Sequence, residues 1–166
     1  MTLLQYDNFP NITGDRVSLR QVLDTDILEL IEISFYDAIQ AESIEQAAEM
    51  QAKINSDYTS GDSIHWAIVD NTTHKIVGTC GYYRGFKQGE GELGCVLLSH
   101  YKGKGYMTEA MALAIDFGMN TIGLKRIWAA TSKQNTKAIQ LLERLDFKKM
   151  GELDDEIEFE LNPQGS

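Results

Sequence analysis

The spacing of apolar residues changes period several times along the chain, and the changes divide it into strands and helices. Residues 16–21 (RVSLRQ) alternate apolar with polar and predict a first strand. Asp24 stands where it can cap a helix from about Thr25 to Ser34, with Ile27, Leu28, Leu30, Ile31 and Ile33 as its apolar side. Ser43 followed three residues later by Gln46 is a capping box opening a second helix that runs to about Ser56. Strands follow over 63–70 (SIHWAIVD), 75–84 (KIVGTCGYYR) and 92–98 (ELGCVLL), joined by the turn 71–74 and a glycine-containing hairpin loop. Beyond Tyr101 the period becomes helical. Met107, Ala110, Met111, Ala114 and Gly118 share one face of a helix ending near Asn120. A strand over 125–131 (KRIWAAT), a helix over 135–145 with Ile139, Leu142 and Leu145 inward, and strands over 147–152 and 156–161 complete the chain. This order predicts an α+β protein of mixed α/β layers around one central sheet. The segment from Glu92 to Thr131 should form a right-handed crossover between parallel strands.

The 166 residues fit a single domain spanning 1–166. A chain of that size buries roughly 68–70% of the surface its unfolded form exposes, enough for a core without staples. No stretch approaches the roughly 20 apolar residues of a membrane span. Residues 1–10 lack the basic and apolar regions of a secretory signal. Cys80 and Cys95 make neither a metal knuckle nor a disulfide framework, and are expected to be free thiols in a cytoplasmic protein. The formal charge of −10 is unevenly placed: residues 1–70 hold thirteen acids against three bases, while residues 71–166 hold twelve of each. No basic footprint for nucleic acid is present, and an acidic half suits either solubility or a cationic partner.

The most informative stretch is 92–110, ELGCVLLSHYKGKGYMTEA. A buried strand runs into Lys102-Gly103-Lys104-Gly105 and a helix begins at once, so backbone N–H groups can close on an anion at a helix N-terminus. A Walker A loop requires a different spacing and a Lys-Ser/Thr pair, which the stretch lacks. A dinucleotide fingerprint requires a third glycine where Thr108 stands, and more chain after it.

The stretch is similar instead to the coenzyme A loop of the GNAT N-acetyltransferases, Gln/Arg-x-x-Gly-x-Gly/Ala. His100-Tyr101-Lys102-Gly103-Lys104-Gly105 matches at both glycines and departs at His100. Residues 135–147 (NTKAIQLLERLDF) resemble that family's N-x-x-S/A…EKLGF segment at the right distance from the loop. The resemblance covers nearly the whole chain and is nearest to the ribosomal-protein (RimJ/RimL-like) N-acetyltransferase branch, with spermidine acetyltransferases as relatives. It implies the GNAT acyl-CoA N-acyltransferase fold, a mostly antiparallel sheet splayed between the family's fourth and fifth strands and flanked by helices. It further implies acetyl-CoA as co-substrate and no metal. Backbone of Cys95, Val96 and Leu97 would pair with pantetheine, an N–H near Cys95 or Val96 polarising the thioester. Residues Lys102, Gly103, Lys104, Gly105, Tyr106, Met107 and Thr108 would cradle the pyrophosphate, and Asn135 would fix the pantetheine arm.

Acetylating an amine also requires that a base remove a proton from an ammonium of pKa about 10. Glu92 is the expected base, sharing one strand face with Gly94 and Val96; Asp37 and Glu42 are alternative acids. Tyr36 and Tyr82 are candidates for shaping the acceptor pocket but fit packing better. His65 and His74 read as a strand and a turn residue, and His100 as a candidate phosphate contact. The family's usual general-acid positions hold Leu142 and Ala138, neither of which can donate a proton. Asp146 replaces a helix-terminal glycine and should take a left-handed conformation. The expected acceptor is a protein N-terminus or a small cationic amine, with a homodimer through the last strands common in the family. The rival expectation is a catalytically silent coenzyme A-binding module.

Overall fold

A computed structural model describes residues 9–36 and 39–161. Strands β1 (Ile12–Thr13) and β2 (Val17–Gln21) open it, followed by α1 (Ile27–Leu30) with a 3-10 turn on each side. Then come β3 (Phe35–Tyr36), β4 (Ile39–Gln40), α2 (Ile44–Thr59), β5 (Ile64–Asp70), β6 (Ile76–Tyr82) and β7 (Glu90–Leu97). The helix α3 (Tyr106–Asp116) leads through a π-helical segment, Phe117–Ile122, to β8 (Arg126–Ser132), α4 (Thr136–Arg144), β9 (Phe147–Leu153) and β10 (Glu156–Leu161). Eight strands form one sheet in the order β1-β2-β5-β6-β7-β8-β10-β9, and β3 and β4 pair separately.

All pairings in the large sheet are antiparallel except β7 with β8, the crossover expected between Glu92 and Thr131. That parallel pairing is only three residues long: Glu90, Gly91 and Glu92 stand opposite Arg126, Ile127 and Trp128. Beyond Glu92, β7 continues against β6 as far as Leu97, while β8 continues against β10 as far as Ser132. The sheet therefore parts between β7 and β8. Arg126 holds the joined end together, pairing with Glu90 on β7 and with Glu158 and Glu160 on β10, its guanidinium over the Trp128 ring.

Alternation along β5 explains the layers. Ile64, Trp66 and Ile68 join Tyr106, Ala110, Met111 and Ala114 of α3 and Leu141 and Leu142 of α4 in the main core. Ala67 and Val69 point the other way, toward Leu30 at the end of α1, and Met50 and Ala47 of α2 pack on Ile27 and Ala41. The helices thus cover both faces, and β6 between them is buried along its whole length.

Three local expectations are corrected. The helix over 25–34 is broken into a 3-10 turn, one helical turn and a second 3-10 turn. Its start is fixed by Asp26 rather than Asp24: Asp26 accepts the Leu23 N–H at 2.8 Å and both Arg20 Nη groups at 2.7 and 3.1 Å. The second helix does open at Ser43, whose Oγ accepts the Gln46 N–H at 3.1 Å, but it runs on to Thr59. The third helix widens into π geometry instead of ending near Asn120. The Tyr82 hydroxyl donates at 2.6 Å to the Ala114 carbonyl, which also accepts the Phe117 N–H, so a side chain enters the helix ladder where the geometry changes. Gly118 makes this close approach feasible, since a side chain there would overlap the Tyr82 hydroxyl. The β1 strand and the β3–β4 pair have too few residues to carry a period and were not anticipated. Asp146 has φ of 70°, as its position at the end of α4 predicted.

Candidate active site

Where the sheet parts, no strand among the described residues lies beside the β8-facing edge of Leu93–Leu97, so its backbone is open to an extended ligand. Cys95, Val96 and Leu97 lie on this stretch, as expected. The Cys95 thiol turns away from the edge toward Cys80, its cross-strand partner; hydrogen bonding to Cys80 and burial push that thiol well up.

At the far end of β7 the chain turns through residues 99–101 into the glycine loop, where Gly103 (φ 78°) and Gly105 (φ 85°) both take the left-handed conformation. A Cβ at Gly103 would meet nothing within 4 Å, so the loop is open on that side. One at Gly105 would lie 3.0 Å from Arg16 Nη1. Tyr106 begins α3 there, with its hydroxyl donating to Asp70 and the Arg16 guanidinium 4.9 Å from its ring centroid. Glu109, one turn on, accepts the Arg16 and Val17 N–H groups at 2.8 and 3.3 Å. The helix N-terminus is thereby pinned to β2 and β5 while its first N–H groups and the open glycine remain available to an anion. Lys102, Lys104, Met107 and Thr108 belong to the same turn, and His100 stacks on Tyr101 at 4.4 Å. These residues fit a pyrophosphate.

Asn135 stands at the N-cap of α4, its Oδ1 accepting the Ala138 N–H at 3.1 Å. Only its side-chain NH2 is left for a coenzyme contact. Leu142 is buried in the core and Ala138 half-buried, so α4 brings no proton donor at either position.

The opposite face of the sheet holds a cavity of about 840 Å³ between the α1–α2 layer and strands β5–β7. Glu92 reaches it from the last paired residue of β7, and Val96 lines it two positions along the same face. Burial pushes the Glu92 carboxyl above its ordinary value; Arg84, with Nε 2.7 Å from Oε1, opposes that, and the carboxylates of Glu156 and Glu158 add to it. The Tyr83 ring lies over Gly94, where any side chain would overlap it. His65, next to Tyr83 with ring centroids 5.9 Å apart, also lines the cavity. Burial pushes its imidazole down to about 4 and its Nδ1 has no hydrogen-bond partner, so it is neutral near pH 7.

Tyr36 lines the cavity and donates to Asp57 at 2.9 Å, whereas Tyr82 is chiefly a core residue. Glu42 does not line the cavity and Asp37 lies outside the described residues. His74 is the turn residue its neighbours predicted, with φ of 62°. Among the described residues no group of three or more His, Cys, Asp or Glu side chains could hold a metal ion. Arg84, Asp57, Tyr83 and Glu156 were not anticipated at the site. Tertiary packing brings them to the cavity, Asp57 from α2, Tyr83 and Arg84 from the loop after β6, and Glu156 from β10.

A parted sheet edge, a glycine-lined helix N-terminus beyond it and a half-buried carboxylate at the parting suit an acyltransferase that draws its acyl group from a coenzyme thioester. Residues 16–148 match the acetyltransferase (GNAT) domain. The chain belongs to the GNAT family of acetyl-CoA-dependent N-acetyltransferases. It is 34% identical over 113 residues, 68% of its length, to the uncharacterized N-acetyltransferase p20 of Bacillus licheniformis, of which that match spans 64%. It is 26% identical over 168 aligned positions to the [ribosomal protein uS5]-alanine N-acetyltransferase of Escherichia coli, covering 87% of this chain and 82% of that one. Spermidine N-acetyltransferase from Vibrio cholerae, solved as a dodecamer, superposes with a TM-score of 0.76 at 16% identity, over 89% of this chain and 94% of that one.

Proposed function

We propose that this chain, as one domain over residues 1–166, moves the acetyl group of acetyl-CoA directly to a primary amine, with both substrates bound together. The observation that carries this is Glu92, a half-buried carboxylate at the point where β7 and β8 separate, facing the cavity and followed along β7 by the open edge that leads to the glycine loop. Cys95, Val96 and Leu97 hold the pantetheine through backbone, and residues from Lys102 to Thr108 hold the pyrophosphate. The Asn135 amide group steadies the pantetheine arm.

In this reading the amine enters from the cavity as ammonium and Glu92 takes its proton, directly or through one water. Its raised pKa narrows the gap to the amine's, which favours the transfer. The neutral nitrogen attacks the thioester carbonyl, and a β7 N–H near Cys95 or Val96 meets the charge developing on oxygen. An acyl-enzyme is not invoked, because the Cys95 thiol is held protonated beside Cys80. Coenzyme A leaves as thiolate and takes its proton from water, since α4 offers no donor at Ala138 or Leu142.

The acceptor is a protein N-terminus or a small amine, as the uS5-alanine and spermidine enzymes among its relatives suggest. Free thiols suit a cytoplasmic setting, and among the described residues no helix is long and apolar enough to cross a membrane. A homodimer through β9 and β10 belongs to the same proposal. The test is coenzyme A release from acetyl-CoA, followed by thiol detection, in wild type and Glu92→Gln. Amine-dependent release that falls sharply in the variant is expected. Tight acetyl-CoA binding with no release on any amine would instead favour a silent coenzyme A-binding module, which the absence of a donor at Ala138 and Leu142 supports.

A further inference from the structure

The cavity is far larger than a reacting amine and acetyl group require, and one wall of the remainder is apolar, with Ser34, Gln51, Asp57, Ser63 and Thr79 interspersed around it. Leu30 at the end of α1, Ile33 in the turn after it, and Met50 and Ile54 on α2 form that wall. Phe35 and Val96 face the same space while 47% and 36% exposed, so apolar surface is turned into the cavity that nothing in the described chain covers. A site of several hundred cubic ångströms with one apolar wall favours a ligand that can set an apolar body against that wall.

Two of the three described lining carboxylates, Asp57 and Glu92, already have side-chain partners. Asp57 accepts the Tyr36 hydroxyl at 2.9 Å, and Lys53 stands 5.4 Å from the Tyr36 ring centroid. Glu92 is paired with Arg84 at 2.7 Å. Glu156 also lines the cavity and raises the Glu92 pKa, so it belongs to the reacting end. A polyamine needs a carboxylate for each ammonium it buries, because an unpaired buried cation is strongly disfavoured. At the apolar end Asp57 is the one acidic residue among the described lining, and it already accepts the Tyr36 hydroxyl. Neutral His65 adds no charge of either sign.

We propose that the acceptor is a primary amine carried on an apolar body, its amine at Glu92 and its body against Leu30, Ile33, Met50 and Ile54. This rests on the acetyl-transfer reading above and narrows the acceptor within it. The same chemistry is offered by an N-terminal residue with an apolar side chain and by a small aliphatic or aromatic amine. The acidity of the first seventy residues then serves the outer surface rather than the cavity.

The test compares acceptors matched in length. With acetyl-CoA saturating, kcat/KM is measured by coenzyme A release and product mass for butylamine, hexylamine and 1,6-diaminohexane. Spermidine, 2-phenylethylamine and short peptides beginning with Gly, Ser, Leu or Phe complete the panel. Each methylene from butylamine to hexylamine should raise kcat/KM about fourfold. Hexylamine should exceed 1,6-diaminohexane by about tenfold or more, since the second ammonium would be buried without a partner. Peptides beginning with Leu or Phe outranking the free amines would identify a polypeptide as the source, and the reverse a small molecule. Ile54→Asp should remove the preference for hexylamine over the diamine while acetyl-CoA affinity stays unchanged. Diamine or spermidine turnover equal to or above that of hexylamine in the wild type overturns the proposal while leaving acetyl transfer standing. Failure of every amine to turn over, with acetyl-CoA bound, overturns the acetyl-transfer reading and this proposal with it.

Discussion

Replacing Gly103 by leucine separates the coenzyme role of the glycine loop from its structural one. Gly103 has φ of 78°, and a Cβ added there meets no atom within 4 Å. The folded chain therefore has room for the side chain and suffers only the left-handed backbone, roughly 1–2 kcal/mol. A less flexible unfolded chain offsets about 0.4–1 kcal/mol of that. The net loss is near 1 kcal/mol, a fall in Tm of about 2–4 °C for a chain of this length. Acetyl-CoA binding should suffer far more, because the leucine fills the space a phosphate would take. Losing two charge-assisted hydrogen bonds at about 1.5–3 kcal/mol each weakens Kd by roughly 10² to 10⁴. Thermal melts without ligand and calorimetric titration with acetyl-CoA measure the two effects separately. Gly123→Leu is the control: it has φ of 82° and equal room, but sits past the π-helical segment, away from the loop. It should reproduce the small Tm loss with wild-type affinity. A Gly103→Leu protein that binds acetyl-CoA normally would refute the loop assignment, and one that loses ten degrees or more of Tm would refute the account of open space.

Glu92→Gln should lower kcat/KM by about 10² to 10⁴ near neutral pH while leaving acetyl-CoA affinity intact, and the deficit should shrink toward pH 10 as free amine becomes available. The wild-type rate should fall with decreasing pH through a pKa above the ordinary glutamate value, the direction in which burial pushes Glu92; an inflection below that value would remove Glu92 as the base. Asp26→Ala breaks the pair with Arg20 and frees the Leu23 N–H, and as Asp26 and Arg20 side chains are 11% and 31% exposed, about 2–3 kcal/mol is expected, read as a lower Tm. Burial raises the Asp26 pKa, but the Arg20 and Leu23 hydrogen bonds outweigh it and the folded value is lowered, so this stabilisation is complete above about pH 4 and disappears as pH falls through the folded pKa. The Tm difference between wild type and Asp26→Ala should close over that window, and a difference independent of pH would contradict the assignment. Gly78→Ala should behave opposite to Gly103→Leu: its Cβ would overlap the Val96 carbonyl across the strand pair, so a loss of about 1–3 kcal/mol in ligand-free stability is expected, checked by denaturant unfolding.

Much of this architecture was legible because long apolar periods survive folding. β5, β6, β8, α2, α4 and the parallel crossover are all placed by patterns seven or more residues long. Glu92 was legible for the same reason, since two-residue alternation puts it on the face of Val96. What escaped depends on where separate strands meet. Nothing near residue 65 signals a cavity; His65 enters it because it stands opposite Gly81, which stands opposite Gly94, and two absent side chains leave room for His65 and Tyr83. Arg84 and Glu156 come to Glu92 from a loop and from the second-last paired element of the sheet order. The broken first helix was misread because its apolar spacing is helical, while the tie from Arg20 to Asp26 is tertiary and outweighs propensity.

The three-residue junction of β7 and β8 also bears on how the molecule unfolds. Residues 12–97 build the strands on one side of it and residues 126–161 all those on the other, so each half is contiguous in sequence and contains its own hydrogen-bond ladders. Such an arrangement predisposes the smaller half, β8 to β10 with α4, to open as a unit at a free energy below that of global unfolding. A coenzyme lying along the unpaired edge of β7 would bridge the halves where backbone pairing does not. Acetyl-CoA at a hundred times its Kd would add about 2.7 kcal/mol against any opening that destroys its site. Amide protons of residues 126–161 should therefore exchange more slowly in its presence: the substrate adds a backbone link between two halves that the chain joins mainly through its shared core.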